Sequence, residues 1–230
     1  MRWIAIALSI LTGFVGSCRA SDESRALAQG AGEPSTTANK TEGLPLGLPI
    51  FVRIFKEEKE LELWVERKGR FELLSTYDIC TWSGDLGPKL AEGDGQSPEG
   101  FYFVPPEMMN PNSDYHLAFN VGFPNAYDKA HGRTGSYIMV HGSCVSIGCF
   151  AMTDKRIEAI YAMADAAHKA GQRYFRVHIF PFRMTAAKMK EHEGSRWVDF
   201  WTNLKEGYDW FEDKGRPPEV TVEGLRYRFK

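Results

Sequence analysis

The side chains best suited to chemistry lie between positions 131 and 149, where two histidines and two cysteines occur among glycines and serines. His141 precedes Gly142, and Cys149 follows Gly148. A cysteine that transfers acyl groups needs a histidine that takes up the thiol proton, and small neighbours that let a substrate approach. The segment supplies both, so it predicts an acyl-transfer site with Cys149 as nucleophile and His141 as general acid and base.

Two further requirements of such a site can be met by the backbone. A carbonyl oxygen is enough to orient the imidazole, and N–H groups around Gly148 and Cys149 can hold an oxyanion. A helix expected to begin at Thr153, which is a suitable N-cap, would direct its N-terminal dipole towards the cysteine. The site is therefore predicted to combine a strand end at His141, a short returning loop and a helix start.

The order of these residues resembles the signature of YkuD-type L,D-transpeptidases, in which a His-Gly pair is followed by a variable stretch and Ser-x-Gly-Cys. Here that last motif is residues 146–149. Upstream, Ser-Pro-Glu-Gly-Phe-Tyr at 97–102 resembles the family's T-P-x-G-x-[FY] strand entry. Residues 125–135 and 149–154 resemble the YafK-like subgroup of Gram-negative bacteria. The resemblance extends over roughly residues 48–182.

The resemblance implies a fold and a role for each motif residue. The fold would be mainly β, of the α+β class, a YkuD-type catalytic domain with peripheral helices. Cys149 would be the nucleophile, His141 the acid and base, and the Gly142 carbonyl the group that holds the imidazole tautomer. Ser146 and Gly148 would shape the turn and the oxyanion pocket.

The resemblance also implies the substrate and the partners. Members of the family attack the L-centre of meso-diaminopimelate in a peptidoglycan stem peptide, release the terminal D-amino acid and form a thioester. An amine or water then takes the acyl group, and no cofactor or metal is implied. Some relatives of the subgroup cut links between proteins and peptidoglycan, so a peptidoglycan-linked lipoprotein is a further expected partner.

Two positions depart from the commoner family pattern. Ile147 stands where the family often has a histidine, and Ala151 stands where it often has an arginine. The missing arginine leaves a substrate carboxylate without its usual partner. Arg133, in a glycine-flanked loop, is the predicted replacement, and His131 in the same loop is predicted to line the site with it.

Other uses of the same side chains remain open at this point. His131, His141, Cys144 and Cys149 could together bind zinc. A Cys144–Cys149 disulfide could instead staple a non-catalytic, peptidoglycan-binding lipoprotein. A Cys80–Cys144 bridge is a third possibility, and it would leave Cys149 as a thiol.

The elements that must position these residues are predicted from periodicity. Alternating or continuous apolar runs predict strands, and a stripe of apolar residues predicts a helix from Thr153 to about Ala170. Glycine, proline and charge predict a long loop over 83–100. The predicted strands are 50–55, 60–65, 71–79, 101–104, 115–119, 137–140 and 173–182, and 186–212 is predicted to be helical with an aromatic face.

The N-terminus has the pattern of an export signal. Arg2 precedes an uncharged apolar run to Gly16, and residues 15–18 (Val-Gly-Ser-Cys) resemble a bacterial lipoprotein box in which Cys18 is lipidated. A cut after Ala20 by ordinary signal peptidase is the alternative. Because Arg19 rather than aspartate follows Cys18, the resemblance favours a periplasmic protein anchored to the outer membrane, with the membrane contacted only through this lipid.

Composition sets the limits on these interpretations. The chain has 230 residues, 43% of them hydrophobic, with a net charge of −2, which is typical of a globular domain and argues against nucleic-acid binding. Residues 19–43 carry almost no large apolar side chain and are typical of a tether. We therefore predict a signal peptide over 1–17, a flexible tether over 18–45, a catalytic domain over 46–185 and a helical extension over 186–230, packed on that domain.

Overall fold

The computed structural model describes residues 43–230. The predicted signal peptide, the lipidation site at Cys18 and all but the last residues of the predicted tether lie outside this range. Among the described residues, no helix combines the length and the apolar character needed to cross a bilayer.

Three sheets contain all the strands of this range. A five-stranded sheet has the order β3-β2-β1-β9-β4, in which β1 and β9 are parallel and the other pairs antiparallel. Its strands are β1 (Ile50–Phe55), β2 (Glu60–Arg67), β3 (Arg70–Asp78), β4 (Gly100–Val104) and β9 (Phe175–Phe180). The four-stranded sheet, in the order β5-β6-β7-β8, consists of β5 (Met109–Ser113), β6 (His116–Asn120), β7 (Met139–His141) and β8 (Phe150–Ala151). A C-terminal hairpin pairs β10 (Val220–Glu223) with β11 (Arg226–Phe229).

Four α-helices and one 3₁₀ turn surround the sheets. They are α1 (Ala126–Ala130), α2 (Asp154–Lys169), α3 (Ala186–Glu191), α4 (Val198–Lys214) and the turn Pro106–Met108. The fold is mainly β with peripheral helices, as predicted. The C-terminal helices and several short strands differ from the prediction.

The central strand β1 is apolar at five of its six positions, and the exception is Arg53. All six of its residues are buried, because the five-stranded sheet is covered on both faces. Val52 and Ile54 belong to a core that also contains residues of the four-stranded sheet and of α2. Phe55 belongs to a second core that includes Trp201 and Tyr208 of α4. A strand buried on both sides carries apolar residues at most steps rather than at alternate ones, and the buried charge of Arg53 is paired with Glu62 at 2.9 Å.

The C-terminal part differs from the sequence prediction. The helix predicted over 186–212 is two helices, α3 and α4, and the predicted helical extension ends in the β10–β11 hairpin. Gly215 adopts φ of 63° and ends α4, and Pro217 and Pro218 then prevent the helix from continuing. Gly224 and Leu225, both with positive φ, form the tight turn of the hairpin.

Besides the two strands of the hairpin, two further short strands were not predicted. β5 contains Pro111 and two asparagines, which are rare in strands, and β8 has only two residues. Both strands exist because neighbouring strands supply their hydrogen-bond partners, which a local pattern cannot show. The short β8 matters most, because it directly follows Cys149.

Candidate active site

His141 is held at the end of a strand that has a neighbour on each side. It pairs with Ala118 of β6 in antiparallel register and with Ala151 of β8 in parallel register. Its side chain is only 3% exposed. Backbone pairing on both sides fixes the direction in which the imidazole leaves the sheet.

The imidazole is oriented by the next residue in the chain. Nδ1 lies 2.5 Å from the carbonyl oxygen of Gly142, and the ring packs at 4.8 Å from that of Tyr115. Burial lowers the pKa of His141, and the hydrogen bond to Gly142 opposes this effect only in part. A neutral ring that donates from Nδ1 to this carbonyl leaves Nε2 as the basic nitrogen, which is the form a general base requires.

Cys149 lies beside the same strand. It precedes β8, where Val140 pairs with Phe150, so continuing this register by one residue places Cys149 next to Met139. The sulfur agrees with this placement, since it accepts from Met139 N at 3.5 Å and donates to the Tyr137 carbonyl at 3.7 Å. Because residues two apart on a strand share a face, the register places Cys149 and His141 on one face as diagonal neighbours.

Three serines fix the backbone around the thiol. Ser146 Oγ donates to the Cys149 carbonyl at 2.7 Å, and Ser97 Oγ donates to the same oxygen at 3.3 Å. Ser83 Oγ accepts from Gly148 N and lies 3.3 Å from Ser146 Oγ. The predicted turn residues Ser146 and Gly148 are thus next to the thiol, and Gly148 adopts φ of 108°, which favours glycine.

The contact of Ser83 with Gly148 changes one sequence-based expectation. The N–H of Gly148 is already bound in this structure, so it can hold an oxyanion only if the Ser83 hydroxyl moves. Sequence reasoning missed both Ser83 and Ser97 because they lie far from the thiol along the chain. Ser97 opens the motif at 97–102, which gave a usable signal, whereas Ser83 had none.

A disulfide joins Cys80 to Cys144, with Cα atoms 5.4 Å apart. It ties the segment after β3 to the loop between His141 and Cys149. Cys144 is therefore unavailable for a Cys144–Cys149 bridge, and the four-residue zinc site that included Cys144 is not formed. Of the three arrangements left open by the sequence, the structure contains the one in which Cys149 remains a thiol.

The structure does not support Arg133 as the residue that binds a substrate carboxylate. Its side chain is 7% exposed and its guanidinium lies 2.8 Å from the carboxylate of Asp128. The same group stacks over the rings of Tyr127 and Phe200, at 5.1 and 4.8 Å. A cation already paired and covered in this way serves packing, and the sequence could not show it because these partners come from two different helices.

His131 follows α1 and is its C-cap residue. Its Nδ1 lies 2.9 Å from the Tyr127 carbonyl, and its ring stacks on that of Tyr127 at 4.0 Å. The residue is exposed, so solutes can reach the ring. The described contacts of His131 and Arg133 are thus with α1 and, for Arg133, also with Phe200 of α4, and none of them is with His141 or Cys149.

The long loop over 83–99 is anchored by a buried ion pair. Lys56 and Glu99 are both 0% exposed and lie 2.9 Å apart. Lys56 Nζ also donates to the carbonyls of Asp85, Gly87 and Ser97, at 2.9, 2.8 and 3.0 Å. Burial lowers the pKa of Lys56, and the charge of Glu99 opposes this. The loop carries Ser83 and Ser97, which bind the backbone of Gly148 and Cys149. The ion pair therefore also supports the position of Cys149.

One cluster of possible metal ligands occurs among the described residues, away from the thiol. Glu57, Glu191 and His192 bring their ligand atoms within 4.8 Å of one another. Lys188 lies 2.9 Å from Glu57 and 3.0 Å from Glu191. The lysine ammonium already supplies a positive charge there, so the cluster is an ion-pair network of α3.

Comparisons with known proteins show the family to which the chain is related. A family model of the L,D-transpeptidase catalytic domain, YkuD, matches residues 51–207. The protein named "Putative L,D-transpeptidase YafK" from Escherichia coli (strain K12) is 50% identical over 182 residues, which are 79% of this chain and 74% of that protein.

Solved structures are more distant. The helical cell shape determining protein Pgp2 from Campylobacter jejuni is 18% identical, covers 79% of this chain and 77% of its own, and has a TM-score of 0.48. Bd1075 of Bdellovibrio bacteriovorus is 19% identical, covers 75% of this chain and 60% of its own, and has a TM-score of 0.40.

Proposed function

Since the chain belongs to the YkuD family of L,D-transpeptidases, we propose that it is a cell-wall enzyme that transfers acyl groups through a thioester on Cys149. The observation that carries the proposal is the pairing of β7 with β8. It places a buried, carbonyl-oriented His141 on the same face as the Cys149 thiol. The proposed substrate is a peptidoglycan stem peptide, attacked at the L-centre of meso-diaminopimelate.

The first half-reaction forms the thioester. His141 Nε2 takes the proton of the Cys149 thiol, and the thiolate adds to the substrate carbonyl carbon. The tetrahedral intermediate collapses when the carbon–nitrogen bond breaks. The imidazolium gives its proton to the departing amine of the terminal D-amino acid.

The second half-reaction returns the enzyme to its starting state. An amine or a water molecule adds to the thioester carbonyl while His141 takes its proton. The carbon–sulfur bond breaks, and the thiolate recovers a proton from the imidazolium. An amine acceptor gives transpeptidation, and water gives hydrolysis. Hydrolysis at a link between peptidoglycan and an attached lipoprotein is the specific form that we propose to test beside transpeptidation.

The location and the chain division belong to the same proposal. We expect a periplasmic protein with a signal peptide over 1–17, a lipid on Cys18 that anchors it to the outer membrane, and a tether before the catalytic domain. A tether of this kind would let the domain reach peptidoglycan close to the membrane. Labelling with a radioactive fatty acid tests the anchor, and a Cys18→Ser variant should lose the label.

The decisive experiment compares the purified chain with Cys149→Ala on two substrates. Muropeptides and lipoprotein-linked muropeptides are incubated with each protein, and the products are identified by mass spectrometry. We expect the wild type to release a D-amino acid or a lipoprotein, and the variant to lose at least about 1,000-fold in rate. A mass increase on Cys149 during turnover would identify the thioester.

Thermal unfolding of Cys149→Ala serves as the control for its folding, and Thr221→Ala, at an exposed position of the C-terminal hairpin, serves as the matched control for activity. Undiminished turnover in Cys149→Ala would overturn the proposal. Binding of peptidoglycan without any turnover by the wild type would also overturn it, and would favour a non-catalytic peptidoglycan-binding lipoprotein.

A further inference from the structure

One peptide group beside His141 is hydrogen-bonded at both ends. Its carbonyl, that of Gly142, lies 2.5 Å from His141 Nδ1. Its N–H, that of Ser143, donates to the carboxylate of Asp154 at 2.7 Å. The carboxylate and the imidazole are thus joined through a single planar, conjugated group, in which a bond at one end strengthens the bond at the other.

The backbone holds Asp154 in this place. Met152 N donates to the His141 carbonyl and Thr153 N donates to the Ser143 carbonyl, both at 2.8 Å. These two bonds fix the residues before α2 against the residues after β7. Asp154 is the first residue of α2, so the helix begins directly beside the peptide group.

Backbone strain occurs in the same two segments. Ser143 and Thr153 adopt φ of 63° and 71°, which is uncommon for residues other than glycine. Thr153 occupies the N-cap position of α2, but its side chain makes no capping hydrogen bond. Strain of this kind persists where the surrounding structure requires it. Here it accompanies the approach of the Asp154 carboxylate to Ser143 N.

Gly142 shows that this approach is close. A Cβ atom built on Gly142 would lie 2.7 Å from Asp154 Oδ1 and 2.7 Å from the Tyr115 carbonyl oxygen. The conformation therefore needs glycine at position 142 for space.

We propose that Asp154 is a positioning residue for His141, acting through the Gly142–Ser143 peptide group in place of the carboxylate that touches the histidine directly in many catalytic triads. The proposal rests on the proposed function, because it assigns Asp154 to the same Cys149–His141 pair. The carboxylate polarises the peptide group, holds the Nδ1 proton on the Gly142 side and stabilises the imidazolium that forms when Cys149 is deprotonated.

Among the contacts described for His141, none is with a carboxylate, so Asp154 reaches the ring only through the peptide group. Tyr115 stacks on the ring, and Cys149 lies on the β8 side. His116 Nε2 of β6 lies 2.8 Å from Glu158 Oε1 of α2. Asp154 itself is exposed, so solvent screens its charge and we expect a moderate effect rather than a complete loss.

The test measures the reactivity of the thiol and needs no peptidoglycan. The full chain is treated with iodoacetamide between pH 5 and 9, and alkylation of the Cys149 peptide is followed by mass spectrometry. We expect Asp154→Asn to slow alkylation at pH 7 by about 3- to 10-fold and to raise the pH midpoint of the reaction by about half a unit. Turnover on muropeptides should fall by a similar factor through kcat, with KM little changed.

The controls separate charge from folding. Asp165→Asn removes a charge from the same helix, where Asp165 pairs only with Lys169 in the described contacts, and should leave the profile unchanged. Asp154→Ser is a second neutral variant whose residue suits a helix start, so the test does not depend on one substitution. Asp154→Glu restores the charge and should lie closer to the wild type than either neutral variant.

An alkylation profile of both neutral variants that matches the wild type would overturn the role of Asp154. A shifted profile in a chain that never turns over muropeptides would retain that role and reject the proposed function. The two failures are therefore distinguishable.

Discussion

At the scale of single residues, the basicity of His141 depends on its burial, because only 3% of the residue is exposed to solvent. Burial lowers the pKa of the ring, which favours its unprotonated form at neutral pH. The base form is then present at neutral pH. Formation of the imidazolium must be supported by groups nearby, which are the Gly142 carbonyl and the thiolate.

Gly142 gives a prediction at this scale. Gly142→Ala would place a methyl group 2.7 Å from Asp154 Oδ1 and 2.7 Å from the Tyr115 carbonyl, so the peptide group that orients His141 must shift. We expect kcat/KM on muropeptides to fall by about 10- to 100-fold, because small displacements of catalytic groups are costly.

Gly194→Ala is the matched control, since nothing lies within 4 Å of the position of its Cβ. Its activity should equal that of the wild type. Equal activity in Gly142→Ala would mean that the space beside Gly142 is not needed.

At the scale of elements, the site combines segments from three parts of the chain. Strands β7 and β8 supply His141 and the position of Cys149. The disulfide ties the intervening loop to the segment after β3. The loop over 83–99 supplies Ser83 and Ser97, and it is held by Lys56 of the turn after β1. The loop therefore borders the site, and Lys56 anchors it to the end of β1.

The anchoring role of Lys56 can be tested by Lys56→Met. The change leaves Glu99 without its buried cation and three carbonyls without their shared donor. We expect a loss of about 3–5 kcal/mol in the free energy of unfolding, which urea denaturation measures. Activity of the remaining folded protein should also fall, because Ser97 loses its fixed position.

Lys169→Met removes an exposed lysine that pairs with Asp165, and it should cost no more than about 0.5 kcal/mol. If Lys56→Met costs as little as this control, the ion pair does not anchor the loop.

At the scale of the whole molecule, the five-stranded sheet is packed on both faces, and a histidine lies in the middle of it. His178 of β9 is 1% exposed, and neither ring nitrogen has a hydrogen-bond partner among the described residues. Phe51 and Phe101 enclose its ring at 4.6 and 4.7 Å. Burial holds its pKa well below the usual value, and Arg176 and Arg53 add to this.

This histidine makes the fold sensitive to acid. In the unfolded chain, His178 takes up a proton as the pH falls through about 6.5, whereas in the folded chain it stays neutral. Between the lowered pKa and this value, the unfolded state binds more protons, so stability falls as the pH falls. We expect His178→Leu to remove this contribution, which amounts to as much as about 1.4 kcal/mol per pH unit.

Urea denaturation at pH 7.5 and pH 5.0 measures the effect. The gain of His178→Leu over the wild type should be larger at pH 5.0. Tyr174→Phe, at the exposed edge of the same region, is the control and should keep the pH dependence of the wild type. An equal pH dependence in His178→Leu would show that another group causes the loss of stability in acid.

Much of the fold could be predicted because its signals are local. The apolar run of β1, the alternation in β2 and the stripe of α2 repeat with the period of the element that they form. The order of His141 and Cys149 was equally visible. The split between α3 and α4, the final hairpin and the two-residue β8 were missed, since they depend on capping, on tight turns and on neighbouring strands.

The sequence by itself determined which residue types are available for chemistry and in what order: a histidine at a strand end, a short serine- and glycine-rich loop, and a cysteine. Such information is local, because it depends on near neighbours and on period. Only the tertiary structure decided that Cys144 pairs with Cys80 and that Arg133 packs against Tyr127 and Phe200. It also decided that Ser83 and Ser97 bind the backbone of Gly148 and Cys149, and that Asp154 accepts from Ser143 N. Each of these residues has several possible partners in the sequence. The one that it contacts is the one that the folded chain brings within hydrogen-bonding or packing distance.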